Sequence, residues 1–250
     1  MKKFMIYVFL LMQVVGFAQT NQELFEKAND LYKDGAYNEA ITLYETIEES
    51  ELISADLYYN LGNSYYKLNK VAPSIYYFEK ALKLNPNHTD AANNLKFANR
   101  MTIDEIEDLP KTFFQKIGTN VIQKFSFETW AIVAIVASFL AAILFLLYYF
   151  SKTTKTKLVF FNLSILVSIL FAFSIFFAFS AYNFHKKNRN AIIFDAKVEI
   201  NNAPSINSEV IFELHEGTKV VILDDLQNWK KIKLADGKIG WINSNAVKEI

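Results

Sequence analysis

The sequence predicts a multidomain membrane protein made of an all-α repeat module, a two-helix transmembrane hairpin and a small all-β barrel, in that order. Three observations carry this reading. Two long runs, Trp130 to Phe150 and Leu158 to Tyr182, contain no charged residue. Residues 21–54 and 55–88 align in a 34-residue register of small and aromatic positions. After Arg189 the pattern changes to short alternating runs separated by turn residues. Composition agrees: 52% of residues are apolar and 23 are Phe, more than the core of a soluble chain of this size needs. With 26 basic and 26 acidic residues the formal charge is zero, so no bulk attraction to nucleic acid is implied. The absence of Cys removes disulfides, thiol nucleophiles and thiolate metal ligands.

Residues 1–18 have the layout of a secretory signal peptide. Lys2 and Lys3 precede an apolar stretch from Phe4 to Val15, and Gly16 and Ala18 place small residues three before and one before a cut after Ala18. Uncleaved, the same stretch is a signal anchor. Both readings send the chain from Gln19 onward across the membrane.

Residues 19–109 read as the repeat module with a capping helix. Ala28 aligns with Gly62, Leu31 with Tyr65, Ala40 with Ser74 and Tyr44 with Phe78. A small residue at 28 or 62 and another at 40 or 74 lets two antiparallel helices approach closely, and the aromatics fill the space between them. Pro86 stops the second helix of its pair, and Pro73 is tolerated only near a helix N-terminus. A further helix from Thr89 through Ala98 caps the stack. The second unit, with Tyr58, Leu61, Gly62, Tyr65, Ser74, Phe78, Ala81 and Pro86, resembles the tetratricopeptide repeat. Two repeats and a cap fall below the usual minimum for independent stability, so the membrane-proximal segment or a partner is expected to help.

The resemblance implies a groove lined by the first helix of each pair. Its candidate partner-binding residues here are Phe25, Asn29, Tyr32, Asn60, Asn63, Tyr66, Lys67 and Asn94. Asn29 and Asn60 match the asparagines of the family's carboxylate clamp. Its basic positions are occupied by Phe25, Asp90 and Asn94, so a clamp on a peptide C-terminus is not expected. Residues 19–128 hold 11 basic against 17 acidic side chains, a net charge of −6, which favours a neutral or basic, partly apolar peptide. The alternative is that these polar side chains are merely solvated.

Residues 110–128 carry Phe113, Phe114, Ile117, Val121 and Phe125 at helical spacing with Lys111, Lys116 and Lys124 between them. This pattern suits an amphipathic juxtamembrane helix lying in the interface, or one packed on the repeat cap. Residues 129–150 and 158–183 are the expected transmembrane helices. The 21 uncharged residues from Trp130 span about 31 Å as a helix, roughly one hydrocarbon core. The loop 151–157 holds Lys152, Lys155 and Lys157 and no acid, as a short cytoplasmic loop should. Lys186, Lys187 and Arg189 run against that rule, but the signal peptide engages the translocon first. The expected location is the cell inner (cytoplasmic) membrane, with both soluble segments on the periplasmic side. Asn162 is the most polar group within the spans and is placed to hydrogen-bond across the hairpin.

Residues 184–250 read as the barrel. Strands are expected over 197–200, 210–213, 218–223, 229–234 and 238–242, with turns at Asn202 to Ser205, Glu216-Gly217 and Asp236-Gly237. Pro204, Trp229, Asp236, Gly237, Gly240 and Trp241 give this segment a resemblance to the bacterial SH3 domain. Asn201-Asn202-Ala203 stands where that family carries an arginine. Trp229 and Trp241 are the candidate ligand contacts, core packing being the other reading of both. The family implies binding of cell-wall peptides or docking of proteins.

No catalytic constellation is found. His88, His185 and His215 have no metal-ligand spacing, and neither a phosphate loop nor a nucleophile elbow is present. Glu48, Glu49 and Glu51 read as a solvated helix end. The expectation is a non-enzyme with no cofactor and no metal. The order of parts, with the NPNHTDAANNL stretch leaving the second repeat, resembles the BatE-type proteins of bacterial aerotolerance (Bat) operons. That resemblance implies a membrane scaffold working beside von Willebrand factor A-type Bat proteins and a MoxR-type ATPase. The alternative is an envelope sensor whose barrel binds peptidoglycan.

Overall fold

The computed structural model describes residues 21–107, 109–110, 122, 125–187 and 189–250. The expected signal peptide lies outside the described residues, as does most of the expected juxtamembrane helix. Five helices open the structure: α1 (21–33), α2 (Tyr37–Glu49), α3 (Ala55–Lys67), α4 (Val71–Leu84) and α5 (Thr89–Asn99). Ser54 caps α3 through a bond from Leu57 N, and His88 caps α5 by accepting from Ala91 N at 3.2 Å. Pro73 is the third residue of α4, where an N–H has no intrahelical acceptor. The small residues do what their spacing requires. Ala28, Ala40, Ala72, Ala81, Ala91 and Ala98 are wholly buried, with Leu57, Leu61, Ile75 and Phe78 between them. Ser74 stands where a repeat usually has alanine. Its buried hydroxyl donates to the Gly62 carbonyl at 3.0 Å, so a polar atom at the α3–α4 contact is satisfied.

At the acidic end of α2, Glu49 and Glu51 are exposed as the sequence reading expects, but Glu48 is not a solvated side chain. Glu48 accepts from the Tyr77 hydroxyl at 2.9 Å and from the Lys80 ammonium, while Glu45 accepts from Tyr65 at 2.5 Å. The Lys80 ammonium also lies 4.1 Å from the Tyr58 ring centroid. Burial works against the charge of Lys80, but its bonds to Glu48 and Tyr58 outweigh this and hold its pKa above the usual lysine value. Desolvation and the nearby Glu48 push Tyr77 well above the usual phenol range. The network ties α2, α3 and α4 together through side chains from both repeats.

Helices α6 (Phe127–Phe150) and α7 (Thr154–Lys187) form a second compact unit. Both are long and apolar enough to cross a membrane. They pack through buried Ala134, Ala137, Ser174 and Ala181, and their outward faces expose Ile, Leu and Phe side chains. The connection is shorter than the expected loop because α7 begins at Thr154. Asn162 is exposed and makes no hydrogen bond across the hairpin among the described residues. Ser174 is the buried polar group, and it donates to Leu170 O within its own helix at 2.8 Å.

Among the described residues seven strands form one antiparallel sheet: β1 (Arg189–Ile193), β2 (Lys197–Asn201), β3 (Val210–His215), β4 (Lys219–Leu226), β5 (Trp229–Lys233), β6 (Ile239–Asn243) and β7 (Val247–Glu249). Their order is β3-β2-β6-β5-β4-β1-β7. The five expected strands are joined by β1 and β7, which pair with each other, Ile192 opposite Lys248. The core of the sheet is aliphatic: Ile193, Ile200, Val220, Ile222, Ile232 and Ile242.

The repeat helices and the sheet belong to the same compact unit. Ile192 of β1 is buried in the core of the repeats, with Phe194 and Ile250 packed against it. The Tyr76 ring meets Phe194 edge-on at 5.6 Å, and its hydroxyl donates to Glu249 O at 3.3 Å. Lys219 pairs with Glu79 at 2.7 Å. Asp104, just past α5, accepts from His215 N at 2.7 Å, from Thr218 Oγ1 at 2.6 Å and bonds His215 Nδ1 at 2.7 Å. The sheet therefore supplies apolar cover that two repeats and a cap lack.

Burial of Asp104 works to raise its pKa, but the bonds from Thr218 and His215 prevail and hold it below the usual carboxylate value. A group whose folded pKa is depressed stabilises above its unfolded pKa, and that contribution is lost as pH falls through the folded one. Hydrogen exchange of the Thr218 amide should therefore accelerate in acid beyond its intrinsic pH dependence, starting below about pH 4. Asp104→Asn should flatten that dependence. Equal pH dependence in both proteins would remove Asp104 as its source.

Candidate functional site

A pocket of about 240 Å³ lies between α1, α3 and α5, lined by Tyr32, Tyr59, Asn63, Tyr66, Lys67, Asn94 and Phe97. Tyr59, Asn63 and Tyr66 share one face of α3 by their i, i+4, i+7 spacing, and Asn94 and Phe97 are one turn apart on α5. Five of the eight residues expected in the groove converge here: Tyr32, Asn63, Tyr66, Lys67 and Asn94. Tyr59 and Phe97 complete the wall, and helical spacing from Asn63 and Asn94 was the signal for them.

The other three expected residues do not line it. Asn29 accepts from the Tyr44 hydroxyl at 2.6 Å and from Asn60 Nδ2 at 2.9 Å. Phe25 packs on the Tyr44 ring at 5.8 Å. Desolvation pushes the Tyr44 hydroxyl up to about 12, so it is a neutral donor at physiological pH. The Asn29–Asn60 bond has a counterpart between Asn94 Nδ2 and Asn63 Oδ1 at 2.7 Å, again 31 residues apart. The asparagines thus act as rungs between the first helices of successive units.

The sheet carries a second pocket of about 450 Å³, lined by Lys197, Val198, Glu199, Asn201, Ile206, Trp229 and Asn243. Trp229 and Trp241 are both half-buried and neither joins the aliphatic core. Trp229 lines the pocket; Trp241 does not, and the Lys231 ammonium lies 5.8 Å from its ring. Asn201 is 6% exposed, and its Nδ2 donates to Ser205 O at 3.1 Å. Its buried Oδ1 has no hydrogen-bond partner. Ile206, at 89% exposure, stands at the rim.

Among the described residues no group of three or more His, Asp or Glu is placed to hold a metal ion. His88 is a helix cap whose Nε2 lies 3.4 Å from Asp56, and His215 belongs to the contact with Asp104.

Comparison with known families agrees with this division. Residues 55–88, the helix pair α3–α4 and its exit, match the tetratricopeptide repeat. Residues 201–248, from the end of β2 into β7, match the bacterial SH3 domain. A search of curated proteins finds no match. Domains of these two kinds are typically non-catalytic binding modules, the first for proteins and the second often for the cell wall.

Proposed function

We propose that this chain is a non-enzymatic, membrane-anchored scaffold of the cell envelope whose repeat groove holds an extended segment of a protein partner. The observation that carries the reading is the pocket itself. Side chains from three helices and both repeats converge on it, and its walls are aromatic. The packing supports placing both soluble segments on one side of a bilayer. Residues before α6 and after α7 form one compact unit, so a chain that crosses with α6 must return with α7. With the signal peptide, that side is periplasmic and the membrane is the inner one. The order of parts supports a role in a Bat-type aerotolerance or stress complex, beside von Willebrand factor A-type Bat proteins and a MoxR-type ATPase.

A second reading is favoured by one observation, the pocket of the sheet that the half-buried Trp229 lines. In this reading the pocket of the sheet takes peptidoglycan or a wall peptide, and the protein is an envelope sensor.

One experiment tests both. Full-length protein is compared in membranes with a Tyr32→Ala, Tyr66→Ala, Asn94→Ala variant and with Trp229→Ala. Crosslinked partners and sedimentation with purified peptidoglycan are both measured. The scaffold reading expects specific partners that disappear in the groove variant and persist in Trp229→Ala. The sensor reading expects wall binding that Trp229→Ala abolishes. Partners that survive the groove variant would overturn the first reading.

A further inference from the structure

We propose that a second copy of this chain docks on the outward face of α7, with the Asn162 side chains of the two copies hydrogen-bonded to each other inside the bilayer. The docking needs only the membrane hairpin and does not depend on the repeat groove.

A hydroxyl in a membrane helix can be satisfied by its own backbone, and three serines of the hairpin are. Ser138 donates to Ile135 O at 2.7 Å, Ser168 to Ser164 O at 2.8 Å and Ser174 to Leu170 O at 2.8 Å. An amide has more to satisfy, two N–H donors and a carbonyl with two lone pairs. Asn162 is exposed on the outside of the hairpin and has no hydrogen-bond partner among the described residues. It lies four residues inside the uncharged run that starts at Leu158, about 6 Å along the helix. An unpaired amide in hydrocarbon is costly, and this side chain is too short to reach back to the headgroups as a lysine would.

The face around Asn162 has the spacing of a helix seam. Asn162, Ile165, Ile169, Ala172, Phe176 and Phe179 follow one another at alternating steps of three and four residues, the a and d positions of a heptad, and all are exposed. At about 100° per residue they lie on the side of α7 opposite Ser174 and Ala181, the buried residues through which it packs on α6. The hairpin therefore leaves this seam uncovered. Lipid would cover its apolar members equally well, so Asn162 decides the occupant.

Copies inserted in one membrane share one topology. Their α7 helices run parallel and hold Asn162 at the same depth, so a two-fold axis along the membrane normal brings the two amides together. An amide is self-complementary: the N–H of one donates to the carbonyl of the other. A single Asn in an otherwise apolar seam is also what fixes the register of paired parallel helices. Ala172, near the middle of the seam, lets the two backbones approach closely. A helix of another protein would need a polar group at this depth, whereas a second copy brings one. The dimer then carries two repeat grooves and two sheets.

The chain has no Cys, so single cysteines report on the seam in the full-length protein. Ile165→Cys, Ile169→Cys and Phe176→Cys lie on it, while Leu163→Cys and Leu170→Cys are exposed on another side of α7. Oxidation in native membranes should give a covalent species of twice the chain's mass at the three seam positions and little at the two controls. In detergent micelles, sedimentation equilibrium should show a dimer whose dissociation constant rises about three- to thirtyfold in Asn162→Leu and stays near the native value in Asn162→Gln. An unchanged helix signal in both variants shows the hairpin intact. Equal crosslinking at seam and control positions, a monomer at every concentration, or an Asn162→Leu variant that dimerises as the native chain does would each overturn the proposal. Crosslinks only to a species of another mass would give the seam to a different protein and overturn the second copy as its occupant.

Discussion

Gly62→Ala should change the sign of its effect when Phe78 is truncated. In the native background the added Cβ would lie 2.6 Å and 2.7 Å from Phe78 Cδ1 and Cε1, closer than such atoms pack. The Phe78 ring is wholly buried and has nowhere to retreat. Overpacking of this kind costs about 1–3 kcal/mol. Ala recovers about 1 kcal/mol by its better helix propensity in α3, leaving a net loss of up to about 2 kcal/mol. Phe78→Ala alone opens a cavity and should cost about 3–5 kcal/mol. On that background the clash is gone, so Gly62→Ala should stabilise by about 0.5–1 kcal/mol. Thermal melts of the four proteins, followed by helix signal, form the cycle. A cost for Gly62→Ala that is the same in both backgrounds would refute the contact as the reason for glycine.

The same pair shows what the sequence could and could not tell. Gly62 and Phe78 were legible because the repeat places them at fixed spacing, and a period of 34 residues fixes which positions must be small. The five middle strands were legible from alternation and turn residues. β1 and β7 were not. Ala191-Ile192-Ile193-Phe194 is a short apolar run without alternation, set off from the membrane run only by the stretch His185 to Asn190, and β7 is three residues long. β1 is a strand by its place between β4 and β7, and β7 by its pairing with β1, both partners distant in sequence. The groove was read from helix positions, which finds residues on a face but not whether they are already spent. Asn29 and Asn60 are spent on each other and on Tyr44, while Asn63 and Asn94 keep free groups. The joint between repeats and sheet gave no local signal, because Asp104 is one of four acids in a short connecting segment and reads as solvated until its three donors are in place.

Gly217→Ala should cost about 2–4 kcal/mol and loosen that joint. Gly217 sits in the β3–β4 turn at φ +86°, where a side chain costs about 1–2 kcal/mol. Its Cβ would also lie 2.9 Å from Val71 Cγ1 and Thr102 Cγ2 and 3.1 Å from Ile75 Cδ1. These atoms belong to the start of α4 and the segment after α5, so the turn is inserted between them. Gly35 provides the control. It has a similar φ of +81°, yet a Cβ there meets nothing within 4 Å. Gly35→Ala should therefore show the backbone cost alone, and the difference between the two variants isolates the contact. Melting of the full chain gives the energies, and hydrogen exchange at Ile192 and Ile193 reports whether the sheet leaves the repeats. Equal costs with unchanged exchange would mean that the turn is not held by the helices. The larger cost, with faster exchange, would make the sheet a structural part of the repeat stack. Binding in the groove should then weaken in Gly217→Ala as well, since α5 carries both Asn94 and the chain that leads to Asp104.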